Sequence, residues 1–360
     1  MQLRSASGVI KIKVWYGLDP GTGRWGCPMR QRWGLGAHQE MSPALEERLA
    51  FTVTATVSYE LAAAVARKHN CPADDSTLHC LTQRVGARAE QQMQERLKSA
   101  PKLLNAQAAP KELALFMLDG WHLRYRGPGF GRKKTKKKRV EWHELKTGVF
   151  YFHEQSGRTE GGRGVVTEKV VVCWQGEGAE LGRRLHWEAL RRGLGQAKWI
   201  LVVADGAPWI WNVASDRWAK AEQLLDFWHA SEHVWELGRA LYGEAGAQVW
   251  VEERLHELRH GQEQKFLTAI SRLRPRRGKV GKTVGEEKSY FANQAQRMNY
   301  DEIHKRGWPI GSGPVESACS GKQNRFKRRG QFWTNPGVRH LEALIEAREN
   351  NHWDQLWFAA

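Results

Sequence analysis

Long apolar runs, paired cysteines and acidic residues are what this sequence lacks. None of its 360 residues belongs to a run near the ~18–20 uninterrupted apolar residues that cross a bilayer, so no membrane span is expected. Met1-Gln-Leu-Arg-Ser5 leads into a strand-like stretch rather than the apolar core of a secretory signal. The five cysteines (Cys27, Cys71, Cys80, Cys173, Cys319) are odd in number, scattered, and never form a CxxC pair. This argues against a disulfide framework and fits a reducing cytoplasm. Cys71 with His79 and Cys80 is the nearest approach to a metal-ligand set, and it lacks zinc spacing. Internal repeats are also missing. Acids are outnumbered: 39 Asp+Glu stand against 56 Lys+Arg, a formal charge of +17 with His neutral.

What is present sets the class. A hydrophobic fraction of 41% and 18 Trp supply enough apolar surface to order the chain, which excludes a disordered polyelectrolyte. A folded protein with this excess of cations suits a polyanion, most simply nucleic acid; a ribosome-like surface or an anionic membrane is compatible on charge alone. The length predicts two or three structural units.

Residues 9–36 read as short strands and turns, since Val-Ile-Lys-Ile-Lys-Val-Trp alternates and Asp19-Pro20-Gly21 punctuates. From Ser42-Pro43 the pattern turns helical. Leu61 and Val65 share one helical face, and Asn70-Cys71-Pro72 ends that helix. Asp74-Asp75-Ser76 can cap a second helix carrying Leu78, Leu81 and Val85. The pair is either a helix-turn-helix, with Thr77, His79, Gln83 and Arg84 available to a DNA groove, or an ordinary helical hairpin. Residues 101–112 read as a linker.

Beyond it the period changes. Leu113–Leu118, Val140–Phe152, Val170–Cys173 and Trp199–Val203 read as strands, Leu181–Leu194 as a helix, and Leu224-Leu225 as a short strand before another helix. Three strands, helix, strand, helix, short strand, helix is the succession of an RNase H-like α/β core. Residues 240 to about 306 are helical and charged, interrupted by the basic stretch 272–279.

Asp119 and Asp205 each follow a buried apolar run and precede a glycine. A carboxylate there is costly to desolvate unless it meets a cation or donors, although Asp-Gly is also a common turn. Glu316 adds a third acid at a helix start behind glycines. Three carboxylates of this kind can hold two Mg²⁺ ions about 3.5–4 Å apart, an arrangement suited to in-line phosphoryl transfer.

Three segments together carry a resemblance: Ala204-Asp-Gly-Ala-Pro-Trp-Ile-Trp-Asn212, Asp226-Phe-Trp-His229 and Gly311-Ser-Gly-Pro-Val-Glu-Ser317. They resemble the DDE transposases of bacterial insertion sequences, in particular the Kra-type group, which is similar to the Mutator-like elements. Glu144-Leu-Lys146-Thr-Gly148 resembles the second-strand signature, Met298-Asn-Tyr300 a late motif of the insertion, and Gln323, Arg325, Lys327, Gly330 and Trp333 the basic segment behind the catalytic Glu. The resemblance covers roughly residues 9–357 and is specific in its second half. It implies Asp119, Asp205 and Glu316 as catalytic, metal-binding residues for two Mg²⁺ (or Mn²⁺) ions, and Asp226 and His229 as a pair behind the acids or at the DNA end. The bulky Trp121-His122 after Asp119-Gly120 departs from the pattern.

The implied organisation is a β-rich segment over 1–41, a helical DNA-binding region and linker over 42–112, and an RNase H-like core over 113–239. An all-α insertion follows over 240–307, then the Glu helix with a basic, aromatic end over 308–360. The implied activity is cleavage of element ends and joining of 3′-hydroxyls to target DNA. A metal-dependent nuclease without strand transfer and an inactive DNA-binding derivative are the alternatives. The implied partners are double-stranded DNA, as terminal repeats and target, and further copies of the chain on that DNA. The implied setting is a bacterial cytoplasm, associated with the nucleoid. Arg132, Lys133, Lys134, Lys136, Lys137, Lys138 and Arg139 between the first two core strands are either a solvated loop or backbone-binding cations. Arg325, Lys327, Arg328 and Arg329 could clamp phosphates beside the site.

Overall fold

The structure, a computed structural model, describes residues 1–33, 35, 40–99, 110–134, 136–274 and 277–357. Residues 101–109, the body of the expected linker, lie outside that set, as do residues 275 and 276 of the basic stretch. The regular elements are β1 (Gln2–Ser5), β2 (Gly8–Lys11), β3 (Gly17–Asp19), β4 (Arg24–Gly26), α1 (Pro28–Arg32), α2 (Pro43–Ala55), α3 (Tyr59–Lys68), α4 (Asp75–Lys98), β5 (Lys111–Arg126) and β6 (Val140–Phe152). There follow β7 (Ser156–Arg158), β8 (Gly164–Val166), β9 (Val170–Gln175), α5 (Gly178–Arg191), β10 (Ala197–Ala204), α6 (Pro208–Arg217), β11 (Glu222–Leu225) and α7 (Phe227–Arg259). The chain closes with α8 (Glu263–Arg272), α9 (Lys279–Asn293), α10 (Tyr300–Lys305), α11 (Gly313–Phe326), α12 (Asn335–Glu349) and α13 (Trp353–Trp357). The fold is α/β. Among the described residues no helix is long and apolar enough to cross a membrane.

Contacts divide the chain into two compact units. One comprises Pro101–His122 and Glu144–Ser320. It contains a five-stranded mixed sheet in the order β11-β10-β5-β6-β9, with β10 parallel to both neighbours and β6 antiparallel to β9. Leu113 to Leu118 are all buried, because both faces of this central strand are covered; that is why the run reads as continuously apolar rather than alternating. Phe116, Phe150, Val172 and Val202 form one core with Leu181 and Leu185 of α5 and with Ile210, Trp211 and Val213 of α6. Phe116 stacks on Trp218 with centroids 3.8 Å apart. Between β11 and α11 the regular elements among the described residues are helices. The first of them, α7, kinks at Gly243, where φ is 74°.

The five expected strands are all present, but the first is much longer than its apolar run. The run was expected to end at Asp119-Gly120; instead β5 continues to Arg126. The reason lies in the residues beyond. Trp121, Leu123 and Tyr125 are buried in alternation with exposed His122 and Arg126, a period of two that sustains a strand after pairing with β10 has stopped at Leu118.

The other unit comprises Met1–Ala100, Leu123–His143 and Gly321–Ala360. Helices α2, α3, α4 and α12 are among its helices, with Ser42, Ser58, Asp74 and Thr334 capping their N-termini through side-chain oxygens. Asp74 caps α4, and Leu78, Leu81 and Val85 are buried as their spacing predicts. In α3, Ala62, Ala63 and Ala66 point inward and Leu61 is exposed. Helix α4 is 24 residues long and packs closely along α12. A Cβ on Gly86 would lie 2.3 Å from the His340 carbonyl oxygen, so only glycine permits this approach. Lys322 is buried with Glu342 and Glu349. The C-terminal residues thus share a unit with the N-terminal helices, a pairing that local sequence patterns do not reveal.

Candidate active site

Strand β10 delivers Asp205 to its carboxyl end, where open α/β sheets bind ligands. Gly206, at φ 99°, then turns the chain toward α6, and the Asp205 carboxylate accepts the Ala207 N–H at 2.9 Å. Ala204 pairs with Leu118 of β5, so Asp119 and Asp205 leave the same pairing register side by side. Asp119 accepts the Gly120 N–H at 2.6 Å and the Cys319 thiol from α11. Burial raises its carboxyl above the usual range and the Asp205 charge adds to this, while Cys319, Gly120 and the His229 ring oppose it.

Asp226 binds the next layer together. Its N–H donates to the Ala204 carbonyl at 2.7 Å. One carboxylate oxygen caps α7 by accepting the His229 N–H at 2.8 Å, and the other accepts the Ser312 N–H just ahead of α11. Asp226 is only 1% exposed, so it anchors helix starts and is not available to a DNA end. Glu316, in the first turn of α11, is exposed and accepts the Ser312 hydroxyl at 3.0 Å. Cys319, one turn further along, is buried.

Three carboxylates within two-metal reach were expected. Among the described residues no three His, Cys, Asp or Glu side chains are grouped so as to hold a metal ion. Uncompensated carboxylates repel, and each acid has its own donor: Gly120 and Cys319 for Asp119, Ala207 for Asp205, Ser312 for Glu316. The donor chemistry nevertheless fits a hard divalent cation, since the Asp119 and Asp205 pair is all-oxygen and Asp119 carries a desolvation cost that a cation would relieve.

Several residues around the acids had no assigned role. A Cβ on Gly120 would meet the Glu144 carboxylate at 2.4 Å, so Glu144 lies against the backbone next to Asp119. Glu144 pairs with Lys146 at 2.5 Å, and the Lys146 ammonium sits 5.2 Å above the Trp209 ring. The i, i+2 spacing on a strand, which puts both on one face, was the available signal. Tyr290 on α9 donates to the Asp205 carbonyl at 2.9 Å, a contact no local pattern announces.

The expected DNA-binding residues fall in the unit that does not contain the acids. The described residues of 132–139 are exposed in the β5–β6 connection, as are Arg328 and Arg329, while Lys327 is partly buried and donates to Gln323 at 2.8 Å. Arg325 is a correction: it is 4% exposed, with its guanidinium 4.9 Å over Tyr59 and 5.8 Å from the Trp333 centroid. Burial lowers its pKa from the ordinary value. It holds helices α3 and α11 together through ring contacts and is not a surface clamp. Gln83 is a second correction. Gln83, Gly86 and Glu90 share the α4 face that meets α12, where Gln83 bonds the His340 ring at 2.8 Å and Glu90 pairs with Arg339. Arg84 pairs with Glu46 while remaining half exposed, and Thr77 sits in the first turn of α4.

Neither a protein-family model nor a curated protein matches this chain.

Proposed function

We propose that the protein is a DNA transposase of the DDE kind, built on an RNase H-like core, which cleaves element ends and joins their 3′-hydroxyls to target DNA. The observation that carries this reading is the pair Asp119 and Asp205 on parallel neighbouring strands, with the α11 turn behind Glu316 reaching Asp119 through Cys319. The sheet order β11-β10-β5-β6-β9 and the helical stretch before α11 support it.

Asp119, Asp205 and Glu316 would hold the divalent cations. Bound there, such ions would supply activation of the attacking water or 3′-hydroxyl and stabilisation of the leaving oxygen. The chain's own part is to fix the acids. Register pairing sets Asp119 beside Asp205, the Asp226 carboxylate ties the α7 start to the Ser312 turn, and Ser312 steadies Glu316. Exposed cations in 132–139, together with Arg328 and Arg329, bind the phosphate backbone without reading sequence. Residues 58–87 take part in recognising the ends.

Cleavage and gel-shift on one end-containing duplex test this. Asp119→Asn, Asp205→Asn and Glu316→Gln each should lose cleavage by orders of magnitude and keep DNA affinity, and wild type should need Mg²⁺ or Mn²⁺. Wild-type cleavage surviving all three substitutions overturns the triad. Wild type that binds and never cuts favours a DNA-binding protein without chemistry.

A further inference from the structure

Aromatic rings and guanidinium groups alternate on one face of the β5–β6 connection, which takes no part in holding the acids. The Arg124 guanidinium lies 6.0 Å from the Trp142 ring centroid and 5.1 Å from that of Phe332. Phe332 meets Phe130 with centroids 5.2 Å apart, and Arg126 lies 5.1 Å over Phe130. All five belong to one compact unit. Carbonyl contacts hold the side chains in place: Arg124 donates to the Arg328 carbonyl at 3.3 Å and Arg126 Nε to the Phe332 carbonyl at 3.2 Å. The Arg126 N–H donates to the Trp333 carbonyl at 2.8 Å and the Trp333 N–H to the Arg124 carbonyl at 3.2 Å, which seats Phe332 beside the strand. Two more bonds close the base of the basic connection, Gly127 N–H to the Arg139 carbonyl at 3.0 Å and Gly129 N–H to the Lys138 carbonyl at 2.9 Å.

Two features of this face point to a ligand. Trp142 is 61% exposed and Phe130 38%, whereas Leu123 and Tyr125 on the opposite face of β5 are buried. Rings left in water beside guanidinium planes suit a flat partner that can stack on them. The second feature is charge. Leu123–His143 holds nine cations and one acid, Glu141, which turns to the opposite face, 3.3 Å from His143. A partner both flat and anionic has the chemistry of a nucleotide strand. In a duplex each base is covered by the next, so only the cations would engage it; an unpaired strand offers its base faces to the rings as well. We propose that Trp142, Arg124, Phe332, Phe130 and Arg126 form a stacking surface for an unpaired DNA strand, with the exposed cations of the same connection on its phosphates. This rests on the DNA reading above and assigns the strand state that the face selects, which phosphate contacts alone leave open. The carbonyl contacts fix the guanidinium planes before the strand arrives, so little side-chain freedom is lost on binding.

Fluorescence anisotropy on the full chain, with a short labelled oligothymidylate and with a labelled duplex of the same length, tests it. Trp142→Ala should weaken oligothymidylate binding by about 5- to 150-fold and leave duplex binding unchanged, and Trp142→Phe should restore most of the loss. Lys133→Ala combined with Lys134→Ala should weaken both and flatten both salt dependences. Wild type that does not hold the oligothymidylate, unchanged affinity in Trp142→Ala, or an equal loss on the duplex each overturns the stacking surface. Self-association of the DNA-free wild type that Trp142→Ala abolishes in sedimentation, with oligothymidylate affinity untouched, identifies a contact between copies instead. Wild-type cleavage of an end-containing duplex that Asp205→Asn abolishes leaves the transposase reading standing in each of these cases. An active Asp205→Asn rejects that reading and leaves the strand-binding result intact.

Discussion

Gly86→Ala sets two physical effects against each other. Alanine in a helix interior gains about 1 kcal/mol over glycine from backbone entropy and propensity. At Gly86 the new Cβ would lie 2.3 Å from the His340 carbonyl oxygen and 2.6 Å from its carbon, more than 1 Å inside ordinary contact. Both groups belong to helix backbones, so no side chain can swing away; α4 and α12 must part. A gap of about 0.5–1 Å forfeits a quarter to a half of the dispersion well for each pair of atoms across it. Overpacking of this kind costs about 1–3 kcal/mol, and its rigid backbone origin puts it near the top of that range. The expected net is a loss of about 2 kcal/mol after the propensity gain. Gly285→Ala is the control, because nothing lies within 4 Å of a Cβ there, in the middle of α9. It should stabilise by about 0.5–1 kcal/mol. Urea unfolding followed by circular dichroism and Trp fluorescence reads both. A Gly86→Ala protein as stable as wild type would refute the close packing of α4 on α12.

Three further outcomes are expected. Asp119 binds a proton more tightly folded than unfolded, so stability falls as pH rises through the carboxylate range and stays lower above it; Asp119→Asn should therefore melt higher at pH 7, with the gain vanishing in strong acid. Burial pushes Glu342 from 4.5 to about 7 despite Lys322, so the wild type should lose stability between those pH values, and Glu342→Gln should flatten that slope in denaturant titrations at pH 5 and 8. Phe116→Ala removes a fully buried ring stacked on Trp218 and should cost about 3–5 kcal/mol by chemical denaturation.

The sheet was legible because its strands are short apolar runs bounded by turn residues, and the order of elements foretold the helices between them. Asp119-Gly120 misled for a local reason. A dipeptide that usually makes a turn here sits in an extended strand, where the glycine makes room for the Glu144 carboxylate. Which face of α3 turns inward was not legible: Leu61 outranks alanine in hydrophobicity, whereas packing chose the small side chains. Gln83, Arg325 and His233 all owe their positions to partners far away in the chain: His340, Tyr59 and Glu287. No window of local sequence contains such pairs. Asp119 and Asp205 could be singled out because a charge beside a buried apolar run is expensive wherever it occurs.

The pairing of α4 with α12 also dictates when the protein can be finished. During synthesis α4 emerges more than two hundred residues before the helix it packs against. Every element of the sheet, with Asp119 and Asp205, is complete by the time Ser320 is made. The N-terminal helices must meanwhile wait with the α4 surface around Gly86 bare. Closing so long a loop is slow, and an uncovered helix face is open to wrong partners. A message cut short just before α12 would therefore yield a chain holding Asp119, Asp205 and Glu316 and an orphaned helical face.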